Sequence, residues 1–366
     1  MTPGPTRVPD RVLAAGARPM IHHRTPEFTK IHGSVLENLR PLFGTARPVL
    51  PVYATGRGAM EAGIANLFSP GEGIIVSCNG RFGEMWADLA TAYGLTVHRV
   101  ATDWNRDLDP AEVAHVLETK KGVKGVAVTH SDTATGVLND IPGTTAVARK
   151  HGVLMLVDAI SSLGGAPFAF DEWDVDYAVT GSQKCLMAAP GLAFAAMSER
   201  AWKATETASL PRNYWNLTDY RASLLKGDLG AHRTSPVHLF MQVAESLALI
   251  SEEGLDKVFQ RHEAMAALTR RRLAAAGLSL KCPEHQRLSP TVTSVATPPG
   301  VAPKAIRDGL MARGILVAGG LGAFEASSFR IGHMGDIRLA DVERTMDALV
   351  EVLNALGTGV PARSGR

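Results

Sequence analysis

The sequence predicts an α/β protein: a larger part with a mostly parallel β-sheet flanked by helices, then a smaller α+β part. Helix-like and strand-like segments alternate from about residue 27 to residue 200, which is typical of parallel sheets with crossover helices. Three short segments, VLMLVDA, YAVTG and LAFAAMS, are almost continuously apolar, as in strands that are covered on both faces. After residue 200 the pattern changes to long helical stretches with a few further strands.

The elements of the larger part follow in regular order after an N-terminal arm. Residues 1–25 are rich in Pro and Arg and have little periodicity, which indicates an arm that packs on another part of the molecule. Helices are predicted at EFTKIHGSVLENLRPLF, GAMEAGIANLF, FGEMWADLATAYG, DPAEVAHVLET and TTAVARKHG. Strands are predicted at PVLPVYA, EGIIVSC, TVHRVA, GVAVTH, VLMLVDA, YAVTG and LAFAAMS. We assign residues 26–252 to this large domain.

The remaining segments predict a small C-terminal domain at residues 253–366. Residues 214–236 have an irregular pattern, and a long helical stretch follows that is broken or bent near Gly254. Strand-like segments then appear at TVTSVATPP, ILVAGG and SFRIGHMG, and helical ones at AIRDGLMARG and LADVERTMDALVEVLNALG. Together these segments predict an α+β unit.

Composition limits the classes of function. The chain is 45% hydrophobic and 20% charged with a net charge of +2, so neither nucleic acid nor a membrane surface is an expected partner. Its three cysteines include no CxxC pair, so we expect neither a disulfide framework nor a metal site. It has no signal-peptide h-region and no apolar run of membrane-spanning length, and we therefore expect a cytoplasmic protein.

Three strand ends carry the residues that predict the chemistry, because ligands of parallel sheets bind beyond the carboxyl ends of the strands. Thr55-Gly56-Arg57-Gly58 opens a helix after PVLPVYA, and such a turn is either a phosphate site or only a tight turn. Asp158 follows five apolar residues. An acid at this position is either a site carboxylate or a helix N-cap. Lys184 follows YAVTG and Ser182-Gln183.

One type of ligand requires all three features. Pyridoxal 5'-phosphate has an aldehyde that forms a Schiff base with an amine, a pyridine nitrogen that pairs with a carboxylate, and a phosphate that a helix end can bind. The sequence therefore predicts a site for pyridoxal 5'-phosphate (PLP) at these strand ends. SDTATGV, which follows another strand, is either part of this site or a polar turn.

Four segments, THSDTATGV, VDAISSLGG, TGSQKCLMAAPGLAF and SSFRIGHMGD, resemble those of the class V aminotransferases. The similarity is greatest to the alanine–glyoxylate and serine–glyoxylate aminotransferase type of PLP fold type I, and it extends over about residues 2–355. Related desulfurases usually have His before the lysine. Gln183 at that position favours transamination.

The resemblance implies a role for each matching residue. Lys184 would form the internal aldimine and move the proton at the substrate α-carbon, and Arg330 would bind the substrate carboxylate bidentately. Phe82 would stack on the cofactor ring unless it is an ordinary core residue, and Arg330 could instead be a surface residue of a strand. The implied cofactor-binding residues are Thr55, Gly56, Arg57, Phe82, Thr133, Asp158, Gln183 and Thr234.

The resemblance also implies a homodimer with shared active sites, because Thr234 matches a threonine that reaches the phosphate of the neighbouring subunit. Some relatives have a phosphate-binding tyrosine three residues earlier, where this chain has Ala231, and Arg57 or Arg233 could compensate. His22 and His23 lie in a segment that approaches the site in the family. Either they take a direct part in the site, or their role is structural.

The predicted reaction is transfer of an amino group from a small amino acid, such as alanine or serine, to glyoxylate or pyruvate by a ping-pong mechanism. Two alternatives stay open: a PLP-dependent lyase, desulfurase or specialised biosynthetic enzyme on the same scaffold, and a non-catalytic ligand-binding partner. A nicotinamide-dependent dehydrogenase is disfavoured because the GxGxxG fingerprint is missing.

Overall fold

A seven-stranded mixed sheet forms the larger part of the computed structural model, which describes residues 1–227, 233–281 and 287–358. Its strands are β1 (Val49–Val52), β2 (Gly73–Ser77), β3 (Thr96–Val100), β4 (Val123–Thr129), β5 (Leu154–Asp158), β6 (Tyr177–Gly181) and β7 (Ala193–Met197). Their order across the sheet is β1-β7-β6-β5-β4-β2-β3. Strand β7 is antiparallel to both of its neighbours, and the other pairs are parallel. The prediction of a mostly parallel sheet is confirmed.

Both faces of this sheet are covered. The helices of this part are α1 (Asp10–Gly16), α2 (Pro26–Phe43), α3 (Gly56–Leu67), α4 (Arg81–Ala92), α5 (Pro110–Thr119), α6 (Ile141–Lys150), α7 (Glu199–Thr205), α8 (Leu217–Leu225) and α9 (Val237–Glu253). Along β4, Val126 and Val128 belong to one hydrophobic cluster and Ala127 to the other. Successive side chains of a strand point to opposite faces, so two buried faces require the nearly continuous apolar runs of the sequence.

The N-terminal arm packs on the large domain, as predicted, but it contains a helix that the sequence pattern did not indicate. Val12 of α1 is fully buried, and Arg11 forms ion pairs with Glu245 and Glu252 of α9 at 2.7 and 2.8 Å. Seven residues hold only two helical turns, too few for a visible periodicity. Helix α8 likewise lies in a stretch that we expected to be irregular.

A second, three-stranded sheet lies in the C-terminal part. Its strands β8 (Val292–Ala296), β9 (Ala318–Gly319) and β10 (Ser328–Gly332) are antiparallel in the order β8-β10-β9. Helices α10 (Leu255–Ala275), α11 (Pro303–Met311) and α12 (Leu339–Ala355) accompany it. Of the predicted strand ILVAGG, only Ala318 and Gly319 pair with β10.

The predicted break between the two long helices is confirmed. Gly254 separates α9 from α10 and has a φ of +86° and a ψ of 129°, a conformation that residues with a side chain avoid. The break lies close to the expected boundary of the small domain. The boundaries after residues 25 and 252 stay predictions.

Candidate active site

The site begins where three neighbouring parallel strands, β4, β5 and β6, end at the same edge of the sheet. Thr129 at the end of β4 is paired with Asp158 at the end of β5, and Asp158 with Val179 of β6. The loops that leave these ends carry Thr133 and Lys184. The structure thus brings together residues that are far apart in sequence, as the strand-end argument predicts.

Asp158 is a buried carboxylate, only 2% exposed. Its Oδ1 accepts a hydrogen bond from the Ile160 N–H at 2.8 Å. The pKa of the Asp158 carboxyl is raised to about 7: burial and nearby Asp132 raise it, whereas the bond from Ile160 and the charge of Lys184 lower it. A buried carboxylate with a raised pKa would be stabilised in its charged form by a cationic ring N–H that donates a hydrogen bond to it. The bond from Ile160 has the geometry of the open N-cap alternative, but no regular helix begins here.

Lys184 is also buried, with 8% of its surface exposed. The pKa of its ammonium group is lowered to about 8, because burial and the charge of Arg330 lower it more than the charge of Asp158 raises it. The turn that carries it is closed by bonds from Ser182 N–H to Leu192 O at 2.9 Å and from Ser182 Oγ to Ala189 O at 2.6 Å. The lysine is therefore fixed at the strand end, with an amine that is readily deprotonated.

The first six residues of the chain pass directly over this lysine, which sequence reasoning did not predict. Lys184 Nζ donates to the carbonyl oxygen of Pro3. Thr6 donates its N–H to Gln183 O and its hydroxyl to Lys184 O, each at 3.0 Å. A Cβ at Gly4 would lie 2.5 Å from Lys184 Cδ and 2.6 Å from Nζ. The N-terminal segment is thus part of the site wall.

Arg330 is held at the site by two backbone carbonyls. Its Nε donates to Gly319 O at 2.6 Å and its Nη1 to Thr133 O at 3.2 Å. The residue is 7% exposed, which excludes the surface alternative. Burial lowers its pKa to about 10, and nearby Asp132 opposes the shift. Within residues 1–227, 233–281 and 287–358, no ion pair to Arg330 is present, so its charge is available to an anionic ligand.

Two further residues expected at the cofactor lie beside this centre. Thr133 is buried, and its hydroxyl is 2.5 Å from that of Ser161, on the loop after Asp158. Phe82 is half-buried at the start of α4, and its N–H donates to Asp132 Oδ2 at 2.9 Å. It belongs to neither hydrophobic cluster of the large sheet as far as the structure describes them, which disfavours the ordinary core alternative.

The expected phosphate-binding residues lie at the N-terminus of α3. Thr55 is the N-cap and is exposed, and its side chain makes no capping bond to this helix. Gly56 is buried, whereas Arg57 is exposed. A Cβ at Gly56 would lie 2.4 Å from the Ile160 side chain, so a larger residue does not fit there. The Gly58 N–H donates to Thr55 O at 2.9 Å. The N–H groups of Gly56 and Arg57 precede the first helical bonds of this twelve-residue helix, and such a helix end favours an anion.

Gln183 supports the presence of a polar ligand. Its buried Oε1 has no hydrogen-bond partner in the part of the chain that is described. Rotating the amide by 180° exchanges oxygen and nitrogen, so the same side chain can offer its NH₂ to a phosphate. A buried amine, a buried carboxylate, an open helix N-terminus and this unpartnered amide together fit PLP.

The segment expected to contact a partner subunit is exposed in the single chain. Thr234 is exposed, and Ala231 lies outside the described residues. Arg233 stacks over the rings of Tyr214 and Tyr220, with its guanidinium carbon 4.9 and 4.4 Å from their centroids. Its Nη1 has no hydrogen-bond partner within the described residues, and compensation for Ala231 by Arg57 or Arg233 stays a prediction.

His22 and His23 form local contacts in the described chain. Their ring centroids are 4.5 Å apart, and His22 Nδ1 accepts a bond from the Arg24 N–H at 3.2 Å. His22 is exposed and His23 is half-buried. These contacts do not connect either ring to Lys184.

Sequence reasoning missed one charged residue of the site, Asp132. It follows the end of β4 by three positions and is 1% exposed. In the sequence it lies within SDTATGV, which we left open as part of the site or a polar turn and from which we named only Thr133. An acid so close to the end of an apolar strand is the same signal that identified Asp158, and it could have been used here.

Two other kinds of feature are absent from the described residues. Across the three described ranges, no group of three or more His, Cys, Asp or Glu side chains could hold a metal ion. In the same ranges, no helix combines the length and the apolar character that a membrane crossing requires.

Comparison with known proteins finds relatives along nearly the whole chain. A family model described as aminotransferase class-V matches residues 6–340. The chain is 40% identical over 361 residues to the "soluble hydrogenase, small subunit" of a Synechococcus species, with 98% of this chain and 93% of that protein covered. It is 34% identical over 369 residues to the L-aspartate–glyoxylate aminotransferase of Paracoccus denitrificans, with 99% and 93% covered.

A solved structure has the same architecture. The crystal structure of ureidoglycine–glyoxylate aminotransferase from Bacillus subtilis superposes with a TM-score of 0.94 at 31% sequence identity. The match covers 99% of this chain and 94% of that one. The expected PLP fold type I architecture is therefore confirmed.

Proposed function

The chain belongs to the class V aminotransferase family, and from this premise we propose that it is a PLP-dependent transaminase that transfers the amino group of a small amino acid to a 2-oxo acid. Glyoxylate is the leading acceptor and pyruvate the alternative. Two similar proteins, from Paracoccus and Bacillus, have glyoxylate in their names, while the donors named are different. Alanine and serine are the donors that we expect here.

The observation that carries this proposal is the position of Arg330. It is a buried guanidinium fixed by two carbonyls, close enough to Lys184 for its charge to lower the lysine's pKa, and it has no carboxylate ion pair within the described part of the chain. A planar guanidinium binds a carboxylate through two parallel hydrogen bonds. Donor and acceptor both carry an α-carboxylate, so one Arg330 can serve both half-reactions of a ping-pong cycle.

When bound, PLP supplies an aldehyde that captures amines and a ring that accepts the electron pair released at the substrate α-carbon. Asp158 would hold the ring nitrogen through a charge-assisted hydrogen bond, and burial excludes water from that contact. Lys184 has a pKa of about 8, so its amine can accept the proton from the substrate α-carbon and return it. Thr55, Gly56 and Gln183 would bind the phosphate.

We also propose a homodimer in which Thr234 of each chain completes the site of the other. Its exposure in the single chain is compatible with this role. The cytoplasmic location stays a prediction.

A panel of donors and acceptors tests the proposed reaction. The holoprotein is incubated with alanine, serine, aspartate or cysteine, each with glyoxylate, pyruvate or oxaloacetate, and the new amino acid and new 2-oxo acid are quantified. We expect equal amounts of both, with glyoxylate the best acceptor. Release of ammonia or sulfide would favour the lyase or desulfurase alternative. Cofactor binding without any turnover would favour the non-catalytic one.

A further inference from the structure

Asp132 connects two separate parts of the candidate site through its carboxylate. Its Oδ2 accepts from the N–H of Phe82 at 2.9 Å. Its Oδ1 accepts from the N–H groups of Ala134 and Thr135 at 2.8 and 3.3 Å. Burial raises the pKa of Asp132, and these backbone hydrogen bonds lower it. The two oxygens thus bind different elements: the first turn of α4, and the loop after β4.

The local sequence leaves space for this carboxylate. Gly80 is the N-cap of α4 and has no side chain that could cap the helix, so Asp132 supplies the acceptor from another part of the chain. The φ of Gly80 is 170°, an extended conformation that any residue adopts. A Cβ at Gly80 would lie only 2.1 Å from Asp132 Cγ. Glycine is therefore required here by the carboxylate and not by the backbone.

Both elements that Asp132 holds carry residues of the proposed site. Phe82 itself donates the N–H that Asp132 Oδ2 accepts. On the other side, the Thr133 carbonyl accepts from Arg330 Nη1, and the Thr133 hydroxyl contacts Ser161. A displacement of the carboxylate would therefore move the aromatic residue and the loop that orients the arginine at the same time.

We infer that Asp132 is a positioning residue of the transaminase site, which fixes Phe82 beside the cofactor ring and the Thr133 loop against Arg330. The inference rests on the proposed function, because the roles of Phe82 and Arg330 belong to it. Asp132 itself contacts neither substrate nor cofactor; it acts through the backbone of its neighbours.

Two variants separate geometry from charge. Asp132→Asn removes the charge and leaves one acceptor oxygen. Gly80→Ala keeps the charge but forces the carboxylate to move. Asp176→Asn is the matched control. Asp176 is 0% exposed and also accepts from a backbone N–H, that of Met155 at 2.8 Å, but it lies at the amino ends of the strands, away from the site. For each holoprotein, visible circular dichroism of the bound cofactor, kcat and KM, and the unfolding temperature are measured.

We expect both site variants to retain cofactor, to change the visible dichroism band, and to lose about 10- to 100-fold in kcat/KM, the effect of a small misplacement of reacting groups. Asp176→Asn should lower the unfolding temperature and leave the band and the kinetics unchanged. If Asp132→Asn does not fold, the dichroism band and the kinetics of Gly80→Ala alone test the inference. Site variants with a lower unfolding temperature but a wild-type band and wild-type kinetics would overturn the inference.

The same experiment distinguishes this inference from the proposed function. A wild-type protein that transaminates, while both site variants equal it, contradicts only the positioning role. A wild-type protein that binds PLP without transamination contradicts the proposed function, and the dichroism band still reports whether Asp132 positions the site around the cofactor.

Discussion

Four buried charged side chains form the centre of the site: Lys184, Asp158, Asp132 and Arg330. An isolated buried charge is strongly destabilising, but here two positive and two negative groups lie close enough to shift one another's pKa. The balance is incomplete, since burial still raises the pKa of Asp158 and lowers that of Lys184. Such shifts are typical of functional sites.

The raised pKa of Asp158 predicts a pH-dependent effect of substitution in the cofactor-free protein. Between about pH 4 and pH 7 the native state retains a proton that the unfolded chain has released, so stability falls as the pH rises through this window. Asp158→Asn removes this titration. Urea unfolding should show equal stability at pH 4 and a variant more stable by about 2–4 kcal/mol at pH 8.

The exposed Asp88 of α4 provides the control, because substituting an exposed carboxylate removes no desolvated charge; Asp88→Asn should not be more stable than wild type at pH 8. In the presence of PLP the order should reverse, because Asn cannot offer a negative charge to the ring nitrogen. An Asp158→Asn variant that is never more stable than wild type at pH 8 would contradict the burial argument.

Arg330→Lys tests the carboxylate role. Lysine keeps the charge but not the planar pair of donors, and a hydrogen bond to a charged group contributes about 1.5–3 kcal/mol. We expect kcat/KM for both donor and acceptor to fall about 10- to 100-fold while cofactor stays bound. Arg313→Lys, in an exposed ion pair with Glu351, is the control. Loss of cofactor from Arg330→Lys would show that the role is misassigned.

At the residue scale the sequence indicated the groups close to strand ends, with the exception of Asp132, and missed those that depend on distant packing. Asp158, Lys184 and Arg330 each follow or lie within an apolar run, so their position was readable. Asp132 was hidden among hydroxyl residues. The contact of Pro3 with Lys184 spans 181 positions, and no local pattern predicts such a contact.

At the scale of elements, long segments with clear periodicity were predicted well and short ones were not. The strands of the large sheet and helices α2 to α6 were all indicated. Helix α1, of seven residues, was not, because its formation depends on packing against α9. Strand β7, the one reversed strand of the large sheet, has the same apolar composition as its neighbours, so its direction was not readable.

Gly254 offers a test at this scale. Its φ of +86° is unfavourable for alanine, while a Cβ would meet nothing within 4 Å. Gly254→Ala should therefore lower the unfolding free energy by about 1–3 kcal/mol through backbone strain alone. The exposed Ser251→Ala on α9 should change it by less than about 0.5 kcal/mol. A Gly254→Ala protein as stable as wild type would contradict the strained conformation at the break.

At the scale of the whole molecule, the first residues and the C-terminal sheet meet at the lysine of the large sheet. The Gly332 N–H donates to Met1 O at 2.8 Å, and Thr6 binds the lysine turn. The site is therefore complete only when the N-terminal segment is in place. Sequence reasoning placed an arm at residues 1–25 but could not show that its first residues reach Lys184.

A pair of glycine variants tests this arrangement. Gly4 and Gly71 both have positive φ, at +111° and +80°, so alanine strains the backbone at either position. A Cβ at Gly4 collides with the Lys184 side chain, whereas at Gly71 it meets nothing. We expect similar losses of unfolding temperature, but a fall of about tenfold or more in kcat for Gly4→Ala alone. Equal kcat values would contradict a role of the segment at the lysine.

Reductive trapping tests the central claim most directly. The holoprotein is treated with borohydride, digested, and the site of cofactor attachment is identified by mass spectrometry, before and after addition of alanine. The proposed function predicts PLP on the peptide of Lys184, and loss of this product once alanine has converted the cofactor and released pyruvate. Cofactor on another lysine, or trapping at Lys184 that alanine and serine leave unchanged, would contradict it.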